Sequence, residues 1–371
     1  MNPVYLDNAA STPVNPRVLA KFNQVAESLY GNPSSQHMVG ILAKEAVSYA
    51  QNIIAGKLSC AEDEVFFTSG ATMSNNVFIQ GMLRKHPETM FITSEVEHND
   101  IMMLYNWLPY TKRLLSVDKN GIVNLEQLNT LIQQCKEVGN YCLVSVQMAN
   151  SETGIIQPIK EISDIVRQHS KAFFHSDATQ YLPYYPIDVA KLGIDALSMS
   201  GQKIHGLKGS GVLYCSETCQ NELESIIFGE QGLVGGTTAT PLVASLGEAF
   251  ELLEYHEIEL TKKRDYLLDE LEQLGGILVG TKGNRLPNNI YTRFPGVNGI
   301  TLMNLLSDYG IYIGTGSACS TDSDKPSHVA LAYGLSADEA LECVRFTLST
   351  NNTYEELEYV VDMLRGILSL L

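Results

Sequence analysis

Ser69-Gly70-Ala71-Thr72 lies between an apolar, β-branched run and a helical pattern. Small side chains there let backbone N–H groups approach an anion, and the start of a helix favours phosphate. The same four residues also suit a plain helix cap. Asp177 closes the run Phe173-Phe174-His175-Ser176-Asp177, and Lys203, 26 residues on, follows Ala196-Leu197-Ser198-Met199-Ser200-Gly201-Gln202. An acid after an apolar strand serves as a cap or turn former, or as the counter-charge of a protonated heteroaromatic nitrogen. A lysine in that setting is a solvated surface residue unless a carbonyl cofactor sits beside it, when it becomes a Schiff-base former. Together the phosphate-type turn, the carboxylate and the lysine are the parts of a pyridoxal phosphate site.

The seven cysteines (60, 135, 142, 215, 219, 319 and 343) are odd in number and contain no Cys-x-x-Cys pair. That argues against a disulfide framework and a zinc ribbon. Cys215 and Cys219 have no matching His/Cys cluster, so no metal is expected. Cys319 stands apart, because Gly314, Gly316, Ser317, Ser320, Thr321, Asp322 and Ser323 around it are small or polar and Pro326 closes the segment. A packed core thiol is not framed that way, and an exposed, mobile one is the expectation.

The elements that must position these groups alternate along the chain. Strands are predicted at Val65–Ser69, Met90–Ser94, Tyr141–Gln147, Ala172–Ser176, Ala196–Ser200 and Gly211–Tyr214, and helices at 38–56, 72–85, 124–138 and 159–169. Alternation predicts an α/β fold with a mainly parallel sheet between helices, and in such sheets ligands gather at the carboxyl ends of strands. From Pro241 a helical stretch is expected through about Gly275, followed by strands near Asn289–Phe294 and Gly310–Gly314 and a closing helix in which Thr353 and Glu356 have capping-box spacing. A second, smaller α/β domain fits that texture.

With 371 residues and 44% apolar content the chain can build a large core. A formal charge of −17 repels phosphate backbones and anionic lipid, so neither nucleic acid nor a membrane is an expected partner. No run of about 18 apolar residues is present and the first residues lack a basic start, which points to the cytoplasm.

Asp7-Asn8-Ala9-Ala10-Ser11-Thr12-Pro13, Gly31-Asn32-Pro33-Ser34-Ser35, Thr68-Ser69-Gly70-Ala71-Thr72, Glu97-His98, Asp177-Ala178-Thr179-Gln180, Lys203 and Gly316-Ser317-Ala318-Cys319-Ser320 occur in one order along the sequence. In that order and spacing the chain resembles the cysteine desulfurases, class V aminotransferases of fold type I that use pyridoxal 5'-phosphate (PLP). The resemblance spans nearly the whole chain. It implies a large PLP-binding domain over residues 15–245 and a small domain from 1–14 and 246–371 carrying the cysteine loop, and the 314–326 segment resembles the longer loop of the group that supplies sulfur for iron–sulfur clusters and tRNA thiolation.

Carried over by position, the resemblance makes Lys203 the Schiff-base lysine and Asp177 the partner of the pyridinium nitrogen, keeping the electron sink charged. His98 would stack on the ring and relay protons; by its residue type alone it reads equally as a satisfied structural histidine. Gln180 would touch the phenolic oxygen, as would Ser151. Thr72 and Gln202 would hold the phosphate with Thr237 of a second subunit, so a homodimer is implied, and Ala71 and Ser200 would also contact the cofactor. Arg345 would fork onto the substrate carboxylate beside Asn150. L-Cysteine would be converted to alanine, leaving a persulfide on Cys319 for a sulfur-acceptor or scaffold protein.

The family pattern is broken at four positions. Gln202 replaces a histidine, Ser151 an asparagine, Val234 an arginine and Met73 a glutamate, which implies a looser hold on the cofactor. Selenocysteine lyase or another PLP-dependent lyase or aminotransferase needs Lys203 but not Cys319, and a non-catalytic scaffold for sulfur acceptors needs neither.

Overall fold

The computed structural model describes residues 3–229, 232–316 and 325–371. Its strands run in chain order as β1 (Val4–Tyr5), β2 (Val65–Thr68), β3 (Met90–Ser94), β4 (Lys112–Leu115), β5 (Cys142–Ser145), β6 (Ala172–Asp177), β7 (Ala196–Ser200), β8 (Gly211–Cys215), β9 (Ile277–Leu278), β10 (Asn289–Arg293), β11 (Ile311–Tyr312) and β12 (Cys343–Thr347). The first four helices are α1 (Pro16–Ser28), α2 (Met38–Leu58), α3 (Ala71–Lys85) and α4 (Asn99–Trp107).

Among the described residues the main sheet has seven strands in the order β2-β8-β7-β6-β5-β3-β4. Every pairing from β7 to β4 is parallel, and β8 alone runs against both of its neighbours. The mainly parallel α/β sheet expected from the alternation is therefore present. β5, β7 and β8 are buried along their whole length, as a sheet covered on both faces requires. One side carries Val144, Phe174, Leu197 and Val212 into a core shared with α2, and the other carries Leu143, Phe173, Ala196 and Leu213 against α3. Each such large apolar side chain contributes roughly 1.5–3 kcal/mol on burial.

A second hydrophobic cluster gathers Leu260, Leu267, Ile290, Leu302, Val344, Phe346, Leu357 and Leu364. It is built on the antiparallel sheet β12-β10-β9 and the parallel pair β1-β11. Val4 and Leu6 belong to this cluster, so the start of the chain packs with its C-terminal part. The closing helix, Tyr354–Leu368, starts in the capping box read from Thr353 and Glu356.

The structure departs from the sequence reading in several places. The helix expected from Pro241 to about Gly275 is two helices, Thr240–Glu251 and Glu257–Gln273. No glycine or proline marks the break; Leu246, Ala249, Phe250, Leu252 and Leu253 pack into the main core while Leu260 and Leu267 enter the second, and the chain turns between them. The first of these helices lies close enough on α2 for Gly247 to face Ala50. Strands β1, β4, β9 and β12 and helices α1 and α4 lie outside the expected elements. Lys112-Arg113 disguises β4 as an exposed edge, and the buried Arg345 in the middle of β12 interrupts its apolar pattern.

Candidate active site

The carboxyl ends of β6 and β7 and the first turns of α3 and α4 converge on one cavity of about 230 Å³. Ala71, Thr72, His98, Ser151, Asp177, Gln180, Ser200, Gln202, Lys203 and Arg345 all line it. The ten are scattered widely along the sequence, and the sheet brings them together.

Lys203 ends a short 3-10 turn that begins directly after β7. Its Nζ donates to the carbonyl oxygens of Ala9 (2.6 Å) and Ala10 (2.5 Å). The Ala9 carbonyl also accepts from Gln180 Nε2 at 3.0 Å, so the N-terminal segment holds both side chains in place. Thr12 closes the arrangement by donating to the carbonyl of Gln202 from its backbone N–H and its hydroxyl.

Asp177 sits at the last position of β6, 7% exposed. Asn75 Nδ2 donates to its Oδ2 at 3.1 Å and the Thr179 N–H to its Oδ1 at 2.9 Å. Burial pushes its pKa above the usual carboxylate value, the nearby Asp100 adds to the rise, and hydrogen bonds from Thr179 with the charge of His98 oppose it. A cation placed opposite would oppose this shift.

The first turn of α3 offers a candidate anion cradle. Gly70, its N-cap, has φ +142°, which a side chain would strain. Its Cα lies 2.5 Å from where a Cβ on Gly211 would be, so the loop presses directly on the beginning of β8 because residue 211 is glycine. Ser200 Oγ lies beside the same loop. The first N–H groups of this helix, which have no intrahelical partner, together with the buried carboxylate and the lysine, fit a phosphorylated pyridine aldehyde.

His98 is the N-cap of α4, and its Nδ1 lies 2.7 Å from Asp100 Oδ1. Burial works against the charge of Asp100, but the hydrogen bond and charge of His98, with Thr72 and Asn75, outweigh it and hold its pKa below the usual value. Glu97, next to His98, is fully buried; burial pushes its pKa up to about 8 although Ser94 Oγ and the Gln147 N–H donate to it.

Arg345 is 2% exposed in the middle of β12. Nη2 donates to Asp7 Oδ1 at 2.7 Å and Nη1 to the Ser151 carbonyl at 2.9 Å, while Nε is buried without a hydrogen-bond partner. A guanidinium already anchored on two sides presents a fixed fork to an incoming carboxylate.

Two expected residues stand elsewhere. Asn150 does not line the cavity: Nδ2 donates to the Val96 carbonyl, and Oδ1 accepts from the Glu152 and Thr153 N–H groups, so the side chain shapes the turn that carries Ser151. Thr237 lines an adjoining cavity of about 610 Å³ with Val234. Ser69 and Met73 border both cavities. Cys319 lies outside the described residues. Of the other thiols, burial pushes Cys60 and Cys343 up to about 12 and raises Cys219 well above its ordinary value.

Sequence reasoning missed Asp7, Asn75 and Asp100. Asp7 opens a motif read without a role for it, Asp100 follows the Glu97-His98 motif, and Asn75 looks like any polar position of a helix. The one signal for Asp100 was an acid two residues beyond a histidine at a predicted strand end.

Residues 4–360 match the model of the class-V aminotransferase family, and the chain belongs to that family. Among curated relatives, a protein named cysteine desulfurase IscS from Methanosarcina thermophila is 35% identical, the alignment covering 98% of this chain and 91% of the relative. A mitochondrial cysteine desulfurase of Candida maltosa is 37% identical over 97% of this chain and 76% of its own length. A solved structure titled NifS-like protein superposes with a TM-score of 0.91 at 32% identity, covering all of both chains. One titled SspA in complex with cysteine has a TM-score of 0.82 at 32% identity, covering 93% of this chain and 98% of that one.

Proposed function

We propose that this protein is a PLP-dependent cysteine desulfurase that converts L-cysteine to L-alanine and carries the sulfur as a persulfide on Cys319. The observation that carries the reading is the meeting of Lys203, Asp177, His98 and Arg345 around one cavity, in a chain whose curated relatives bear the name cysteine desulfurase. Bound there, PLP would supply an electron sink for the carbanion at the substrate α-carbon.

The chain's own residues do the rest. Lys203 would hold the aldehyde carbon until the substrate amine displaces it, and the carbonyls of Ala9 and Ala10 keep its amine at the strand end. Asp177 would keep the pyridine nitrogen protonated, and α3 with Ser200 and Gln202 would hold the phosphate. His98 would cover the ring and move protons. Arg345 would grip the substrate carboxylate in the orientation that Asp7 and Ser151 impose on it. The Cys319 thiolate would then form an S–S bond to the substrate sulfur as the substrate Cβ–S bond breaks. That electron pair stays with the carbon skeleton, which leaves as alanine after protonation.

Thr237, in the adjoining cavity with Val234, would face the phosphate of a second subunit in a homodimer. The persulfide would pass to a sulfur-acceptor or scaffold protein. Protein reconstituted with PLP and given L-cysteine tests the reading: wild type should release alanine and, with a thiol reductant, sulfide, and mass spectrometry should find one added sulfur on Cys319. Cys319→Ser should bind cysteine yet make neither persulfide nor sulfide. Equal sulfide release by this variant, or an added sulfur on another cysteine, overturns the assignment.

A further inference from the structure

His98 and Asp100 form a pair to which neither the family motif nor the proposed chemistry gives a purpose. Their 2.7 Å separation joins Nδ1 to a carboxylate oxygen, and both side chains border the cavity. A carboxylate only accepts, so Nδ1 must carry the hydrogen and the lone pair of neutral His98 falls on Nε2. The Asp100 N–H also lies 3.4 Å from Nδ1, and the shorter contact to the carboxylate decides between the two arrangements.

Asp100 is itself held. Its Oδ1 accepts from the Ile101 N–H at 2.8 Å and its Oδ2 from Asn75 Nδ2 at 3.1 Å; its side chain is 10% exposed. The same Asn75 amide bridges to Asp177. Lying in the first turn of α4, the carboxylate also meets the positive end of that helix. It is therefore a fixed charge. The other titratable groups around His98 are Glu97 beside it, Asp177 at the end of β6, and Lys203 and Arg345 across the cavity.

We propose that Asp100 is a positioning residue for His98: it takes the Nδ1 hydrogen bond, fixes the ring's tautomer and orientation, and leaves Nε2 as the atom that accepts a proton from bound substrate. When Nε2 takes that proton, the imidazolium keeps its Nδ1 hydrogen bond and its charge is balanced by Asp100. On return of the proton to product the neutral tautomer is restored. The proposal rests on the desulfurase reading only for the identity of the substrate.

The test reads tautomer and rate separately. In apo protein labelled with 15N-histidine, the His98 signals are those that vanish in His98→Gln. Wild type should show the Nδ1–H form, and Asp100→Ala a mixture or the Nε2–H form. With PLP and L-cysteine, Asp100→Ala should lose about 10²-fold in kcat, the low end of general acid–base contributions, with KM within about twofold. Unchanged tautomer or unchanged kcat overturns the proposal. Where Asp100→Ala does not fold, Asp100→Asn decides: its amide oxygen still accepts from Nδ1 but carries no charge, so a retained Nδ1–H form with lowered kcat supports the proposal and full kcat refutes it. The apo tautomer needs neither cofactor nor turnover, so a wild type inert toward cysteine defeats the desulfurase reading alone.

Discussion

Lys203 and Glu97 show how two side chains of ordinary chemistry are changed by where the chain puts them. The Lys203 amine is fixed by the carbonyls of Ala9 and Ala10, so it is in place before any cofactor arrives. Lys203→Ala, reconstituted with PLP, should show no near-visible absorbance that borohydride removes with covalent labelling of position 203, and turnover should fall below detection. A borohydride-fixed label on any other lysine of wild type would remove Lys203 from its role. Glu97 makes a prediction of a different kind. With its folded pKa raised to about 8 from an ordinary carboxylate value, the folded protein binds the proton more tightly than the unfolded chain. The stability this contributes is fully present below the unfolded pKa of about 4.3 and is lost as pH rises through 8, by at most about 1.4 kcal/mol per pH unit. Glu97→Gln keeps a neutral side chain at every pH. Denaturant unfolding should show wild type losing ground to Glu97→Gln between pH 5 and 8, and parallel pH profiles would show that Glu97 is ionised in the fold.

Among the elements, the junction of β2, α3 and β8 is demanding, because a Cβ on Gly211 would stand 2.5 Å from the Cα of Gly70. Gly211→Val would drive two methyl groups into the loop that starts α3. We expect PLP affinity to fall at least tenfold while far-UV circular dichroism changes little; undiminished PLP titration would mean the loop can move aside. The elements of this half were legible in the sequence. Apolar runs ending at Ser94, Asp177 and Ser200 gave their strands, and the small residues after Thr68 gave the start of α3, because local pattern and buried environment agree there. Legibility failed where a tertiary contact overrides the local pattern. Arg345 hides β12 because its charge is answered by Asp7, and the break after Glu251 obeys two cores and no turn residue. The site divides likewise. Lys203, Asp177 and His98 follow strands and could be found from them, whereas Asn75 and Asp100 matter only through side chains the fold places beside them.

At the scale of the whole molecule, the cavity that would take the cofactor adjoins a larger one lined by Thr237, and the two share Ser69 and Met73. If a second subunit completes the phosphate site, cofactor retention depends on protein concentration. Diluting the holoprotein through its dimer dissociation should release PLP in step with monomer formation, read by cofactor absorbance and by sedimentation, and Thr237→Ala should release it at higher protein concentration. Retention that ignores dilution into monomer would locate every phosphate contact within one chain.

The ion pair between Asp7 and Arg345 joins residues 338 positions apart. On the ribosome, the seven strands of the main sheet have all been synthesised once Cys215 has been added, while the guanidinium that faces the cavity does not yet exist. Translation therefore imposes a schedule: the first turn of α3, Asp177 and Lys203 are made early and Arg345 much later. Every residue proposed to hold the cofactor, Thr237 included, exists before the one proposed to recognise an amino acid.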